Sequence, residues 1–127
     1  HRDDARLVEF LTRHCEHFGY THYWVTYTLA FLSQERLIFV PHLPYHPDFR
    51  YTRRDDRYPP YTTAVEQAQK IAFITTQQPE LQAYLRSGLA GLGVSWQEEQ
   101  IGEYLVFYRL SRIVRPGELN LGATTNP

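Results

Sequence analysis

Methionine is absent from this chain, lysine occurs once, at Lys70, and cysteine once, at Cys15. A chain that opens on His1 and holds no Met reads as a piece of a longer protein, so missing targeting signals carry little weight. A single cysteine excludes an intrachain disulfide and any cysteine-built zinc site. Cys15 falls among apolar helical positions, so a buried small hydrophobe is expected there rather than a reactive thiol. No apolar run approaches the roughly 18 residues that a membrane span needs. The longest, Tyr23 to Leu32, is interrupted by Thr26 and Thr28. Excess charge is missing too: the formal balance is -1, which argues against a nucleic-acid partner. The 127 residues, 43% of them hydrophobic and 15% aromatic, are enough for one compact domain and too few for two. Twelve of the thirteen basic residues are arginine.

Asp3 and Asp4 suit the start of a first helix, where acidic groups meet the positive end of the dipole. Leu7, Val8, Leu11, Cys15 and Phe18 recur on one helical face, and Gly19 is placed to close the helix. A short strand is expected around 19–23, followed by a helix over 24–33 with Trp24, Tyr27, Ala30 and Phe31 on one face. One long strand is the alternative, since aromatic and β-branched residues dominate that stretch. Arg36–Pro41 reads as a strand buried on both faces. Pro41 to Pro60, both included, hold five of the eight prolines, so a long excursion is expected before a helix opening at Pro59 or Pro60 and running to Gln69. Lys70–Thr75 is a third strand, and Pro79 starts a helix carrying Leu81, Tyr84, Leu85 and Leu89 on one face. Val94–Gln100 and Glu103–Leu110 flank Ile101-Gly102 as an antiparallel hairpin. The pattern predicts a three-layer α/β/α sandwich on a mostly parallel sheet of about five strands, with that hairpin at its edge. Residues 1–115 form the one domain and residues 116–127 a flexible tail.

Catalytic signatures are sparse. None of Ser33, Ser87, Ser95 and Ser111 lies in Gly-x-Ser-x-Gly, and Gly88, Gly91 and Gly93 follow a helix instead of preceding one, so they build no phosphate loop. His14 and His17, with His42 and His46, lack the His-Glu-x-x-His spacing, and His14 and His17 are read as helix-end residues rather than metal ligands. No metal site and no cofactor are expected. The segment Arg50–Tyr61 is the most suggestive: Arg53, Arg54 and Arg57 can grip phosphate bidentately, and Tyr58 and Tyr61 can stack on a sugar. Asp55 and Asp56 nearly cancel that charge, so a solvated mixed-charge loop is the competing reading.

The run Tyr23-Trp-Val-Thr-Tyr-Thr-Leu-Ala-Phe-Leu-Ser-Gln-Glu-Arg-Leu-Ile-Phe-Val-Pro41 is followed by Arg57-Tyr-Pro-Pro-Tyr61, Val65, Ala72-Phe73 and the strand Tyr104–Tyr108. Together these resemble the soluble C-terminal domain of prokaryotic multi-pass membrane glycosyltransferases, relatives of the dolichyl-phosphate-mannose–protein mannosyltransferases. The resemblance spans roughly Leu7 to Leu110 and rests on aromatic-rich packing patterns, not on catalytic motifs. It implies a non-catalytic domain on the extracytoplasmic face of the membrane, covering the active-site side of the parent chain's membrane domain. Lipid-linked sugar or acceptor are then its candidate ligands. No catalytic residue carries over. Tyr23, Trp24 and Tyr27, with Arg53, Arg54, Arg57, Tyr58 and Tyr61, form the expected functional face. Two competitors stand beside it: a free-standing α/β enzyme or small-ligand binder with its site at the strand ends, near 41–57 and 75–78, and a protein-interaction domain marked by an exposed apolar patch.

Overall fold

The computed structural model describes residues 2–44 and 58–121. In chain order these form α1 (Arg2–Arg13), β1 (Phe18–Tyr20), α2 (Tyr23–Leu32), β2 (Ile38–Val40), α3 (Pro59–Gln67), β3 (Ala72–Thr75), α4 (Pro79–Gly91), β4 (Gln97–Ile101) and β5 (Tyr104–Tyr108). A 3-10 turn over Pro116–Leu119 follows. The 24–33 stretch is thus helical and not a long strand. The spacing decides it: Val25, Thr26, Leu29 and Ala30 share one buried face, which a strand's two-residue period would split.

The strands make one five-stranded sheet in the order β2-β1-β3-β5-β4. β1 runs parallel to β2 and to β3, whereas β3–β5 and β4–β5 are antiparallel. The sheet is mixed, which corrects the expectation of a mostly parallel one. The hairpin accounts for the difference. It lies at the edge of the sheet as expected, with β4 outermost and β5 beside β3, and its two antiparallel pairings equal in number the two parallel pairings of β1. Gly102 takes the left-handed conformation (φ 57°) at the turn, and Ile101 pairs with Tyr104 across it.

Side chains alternate across the sheet into two cores. One holds Phe39, Ala72, Ile74 and Val106 with Leu7, Leu11, Val25 and Leu29 of α1 and α2. The other holds Tyr20, Val40, Phe73 and Phe107 with Val65, Leu81, Leu85 and Leu89 of α3 and α4. All five residues of β5 are buried, so the alternation Tyr104–Val106–Tyr108 separates two covered faces and not core from water. The helix after β1 therefore packs on one face and the helix after β3 on the other. A crevice outside the carboxyl ends of these neighbouring strands is the place where open α/β sheets take ligands.

Three local expectations are corrected. α1 stops at Arg13, and Cys15 is exposed in a left-handed turn (φ 56°) rather than buried. Gly19 is not a helix cap. It lies in β1, where a Cβ would run into the Ala72 carbonyl and come within 2.7 Å of the Phe39 ring, so the close packing of three strands requires glycine there. Residues 116–121, expected to belong to a tail, pack instead: Leu119 and Leu121 are buried in the core, and Leu119 accepts the Tyr84 hydroxyl on its carbonyl at 2.7 Å.

Candidate functional site

α2 is a helix of ten residues, YWVTYTLAFL, without a single charge. Its buried side satisfies the core, yet its outer side is equally apolar. Phe31 is 82% exposed, Leu32 45%, Trp24 44% and Tyr27 36%. A solvent-facing helix surface is ordinarily charged, so this one departs from the usual pattern. Tyr23 meets Tyr27 edge-on at 5.4 Å, Tyr27 lies 6.5 Å from Tyr61, and Tyr61 meets Tyr58 edge-on at 4.5 Å. The structure so brings Tyr23, Tyr27, Tyr58 and Tyr61 into one aromatic chain across α2 and α3. Trp24 leaves it and stacks on His22 at 5.3 Å. Arg53, Arg54 and Arg57 lie outside the described residues.

Beside this chain Tyr27, Phe31, Gln34, Glu35 and Tyr61 line a groove of about 440 Å³. Its shape depends on how α2 ends. Gln34 and Glu35 both adopt left-handed backbone (φ 55° and 63°), a conformation that costs on the order of 1 kcal/mol for a residue with a side chain. The Glu35 N–H donates back to the Ala30 carbonyl at 2.7 Å, and the Leu37 N–H donates to Ser33 Oγ at 3.0 Å. This reversal turns the Glu35 carboxylate toward α3, where it accepts the Tyr61 hydroxyl at 2.6 Å. Desolvation, and then the Glu35 carboxylate, push the Tyr61 phenol up to about 12. Tyr61 therefore stays a neutral donor that holds α3 against the end of α2.

A second concavity sits at the carboxyl ends of β1 and β2. Tyr20, Val40, His42, Thr62, Glu66, Arg115 and Gly117 are among its walls, and it encloses about 290 Å³. Arg115 organises it. Nη1 donates to the Tyr20 hydroxyl at 2.8 Å and to the Val65 carbonyl at 3.0 Å, and Nη2 donates to the Glu66 carbonyl at 3.1 Å. The guanidinium thereby closes the last turn of α3, where the Val65 carbonyl also accepts the Ala68 N–H at 3.1 Å. Burial raises the Tyr20 phenol, with Arg115 working against it. His42 stacks on Tyr20 at 5.7 Å.

Of these groups Tyr20, Glu66 and Arg115 were not singled out by sequence, and His42 was noted only as a possible ligand. Tyr20 and Arg115 stand 95 positions apart, so no local pattern joins them. The placement of a site at the strand ends was the only available signal. Among the described residues, no group of three or more His, Cys, Asp or Glu could hold a metal ion. None of their helices is long and apolar enough to cross a membrane. Compared with known proteins, the chain matches no family model, no curated protein and no solved structure.

Proposed function

We propose that this chain is a three-layer α/β accessory domain of an integral-membrane glycosyltransferase, non-catalytic itself, seated on the extracytoplasmic side of the parent chain's membrane domain. The observation that carries the reading is the outer face of α2: Trp24, Tyr27, Phe31 and Leu32 exposed on a helix that bears no charge. An apolar patch rimmed by polar groups marks a surface that another body covers. Tryptophan and tyrosine in such a patch suit a boundary between water and an apolar phase. The sequence resemblance supplies the partner, a membrane-embedded catalytic part. Glu35 and Gln34 at the rim would fix orientation by hydrogen bonds, while the aromatic face supplies the buried area.

Deleting the domain from the parent enzyme tests this directly. Sugar transfer from a lipid-linked donor is expected to fall by about ten-fold or more with the membrane part still inserted. The isolated domain is expected to turn over no sugar donor. Turnover by the domain alone, or full transfer without it, would overturn the reading. A protein-interaction domain unrelated to sugar transfer shares the same patch and would give the second of those outcomes.

A further inference from the structure

The pocket at the ends of β1 and β2 is built from groups of both signs around an apolar floor, and we propose that it binds one neutral sugar ring. It is distinct from the α2 face: the pocket and the groove share no lining residue. The proposal deepens the reading above by locating a sugar site, but binding itself does not depend on that reading.

Charge argues first. Arg115 brings a guanidinium and Glu66 an exposed carboxylate to the same small space. An anion drawn to Arg115 meets Glu66, and a cation drawn to Glu66 meets Arg115. A neutral molecule bearing hydroxyls uses both, because each hydroxyl donates to a carboxylate and accepts from a guanidinium. Arg115 has the capacity for it. Of its five N–H donors, three serve Tyr20, Val65 and Glu66, which leaves two. Those three bonds also hold the fork rigid before any ligand arrives, which reduces the ordering cost of binding.

Shape argues next. The half-buried His42 ring stacks on the buried Tyr20 ring, 25° from parallel, with Phe73 stacked on Tyr20 in turn, so His42 is the aromatic wall of the pocket. Such a wall suits the C–H face of a pyranose, while Thr62 adds a hydroxyl beside it. At about 290 Å³ the pocket lies at the lower edge of the range of small-molecule sites, the scale of a single sugar ring. Longer oligosaccharides would have to leave through the open side.

Saturation-transfer NMR of the 127-residue chain with D-mannose, D-glucose and D-galactose, and with sodium acetate and inorganic phosphate as anion probes, tests the assignment. At least one hexose is expected to receive saturation on its ring protons, and neither anion to compete with it. Gly117→Leu is the blocking variant. A Cβ at Gly117 meets nothing within 4 Å, so the larger side chain fits without backbone strain and occupies space at the wall. It is expected to weaken hexose binding by about ten-fold or more at an unchanged melting temperature. Glu66→Ala, which removes only an exposed carboxylate, is expected to weaken binding in the same sense, and serves alone if the first variant folds poorly. Leu92→Ser, at an exposed position that lines neither the pocket nor the groove, should leave binding unchanged. Three results would overturn the proposal: no hexose bound at concentrations of tens of millimolar, anions bound in place of hexoses, or hexose binding that survives both pocket variants.

Discussion

His22 is fully buried at the end of β1, as the cap residue of α2, and neither ring nitrogen has a hydrogen bond of ordinary geometry among the described residues. Burial holds its pKa down at about 4, with the Leu43 backbone offsetting part of the effect. The folded imidazole thus stays neutral while the unfolded one takes a proton below about 6.5. Stability is therefore complete above pH 6.5 and is lost as pH falls from there toward 4, by roughly 3 kcal/mol in all. His22→Gln is expected to flatten the dependence of melting temperature on pH between 6.5 and 5; an unchanged slope would assign it to other groups. At this scale the sequence was least legible. Periodicity carried Cys15 and Phe18 onto the first helix, because it cannot register that the backbone turns left-handed at Cys15. Nor does it register that Glu16 is buried, held by the Arg109 N–H at 3.0 Å and by Lys70, the chain's one lysine, at 3.5 Å. Both depend on residues far along the chain.

The elements themselves were mostly legible. Proline opens α3 and α4 as its fixed φ favours, and the apolar runs Ile38–Val40 and Ala72–Thr75 lack alternation because both faces are covered. The hairpin at the sheet's edge was legible too. What the sequence concealed was the balance of directions, since both parallel pairings belong to β1 and both pairings of β5 are antiparallel. Gly19 belongs to this scale. It sits between β2 and β3, where the strands leave no volume for a side chain. Gly19→Ala is expected to cost roughly 4 kcal/mol, since overpacking here meets backbone and cannot relax through a side chain. Chemical denaturation checks this: a loss below about 1 kcal/mol would mean that the sheet opens to admit the methyl group. The helix α2 was legible as a helix but not as a surface. The sequence places Trp24 and Tyr27 on a functional face but groups Ala30 with them, although it is buried, and only the packing of Val25 and Leu29 against α1 and the sheet shows that Phe31 and Leu32 face out.

For the whole molecule the proposed readings divide the work between two unusual surfaces. On those readings the α2 face offers uncharged aromatic area to a large partner, and the pocket beside Arg115 offers paired donors and acceptors to a small one. The aromatic residues named from sequence at 23, 27, 58 and 61 converge because α2 and α3, on opposite faces of the sheet, meet around its edge strand β2, bridged by Tyr61 and Glu35. The apolar outer face of α2 is the central claim, and charge placed on it is the sharpest probe. Phe31→Glu adds a carboxylate to a side chain that is 82% exposed, so the isolated domain should keep its stability. Leu92→Glu is the matched control, an exposed apolar residue at the end of α4, the helix that packs on the other sheet face. The deciding measurement is sugar transfer by the parent enzyme carrying each change. Docking through α2 predicts that Phe31→Glu lowers transfer by about ten-fold or more while Leu92→Glu leaves it at the wild-type rate. Equal rates for both variants and the wild type would contradict it.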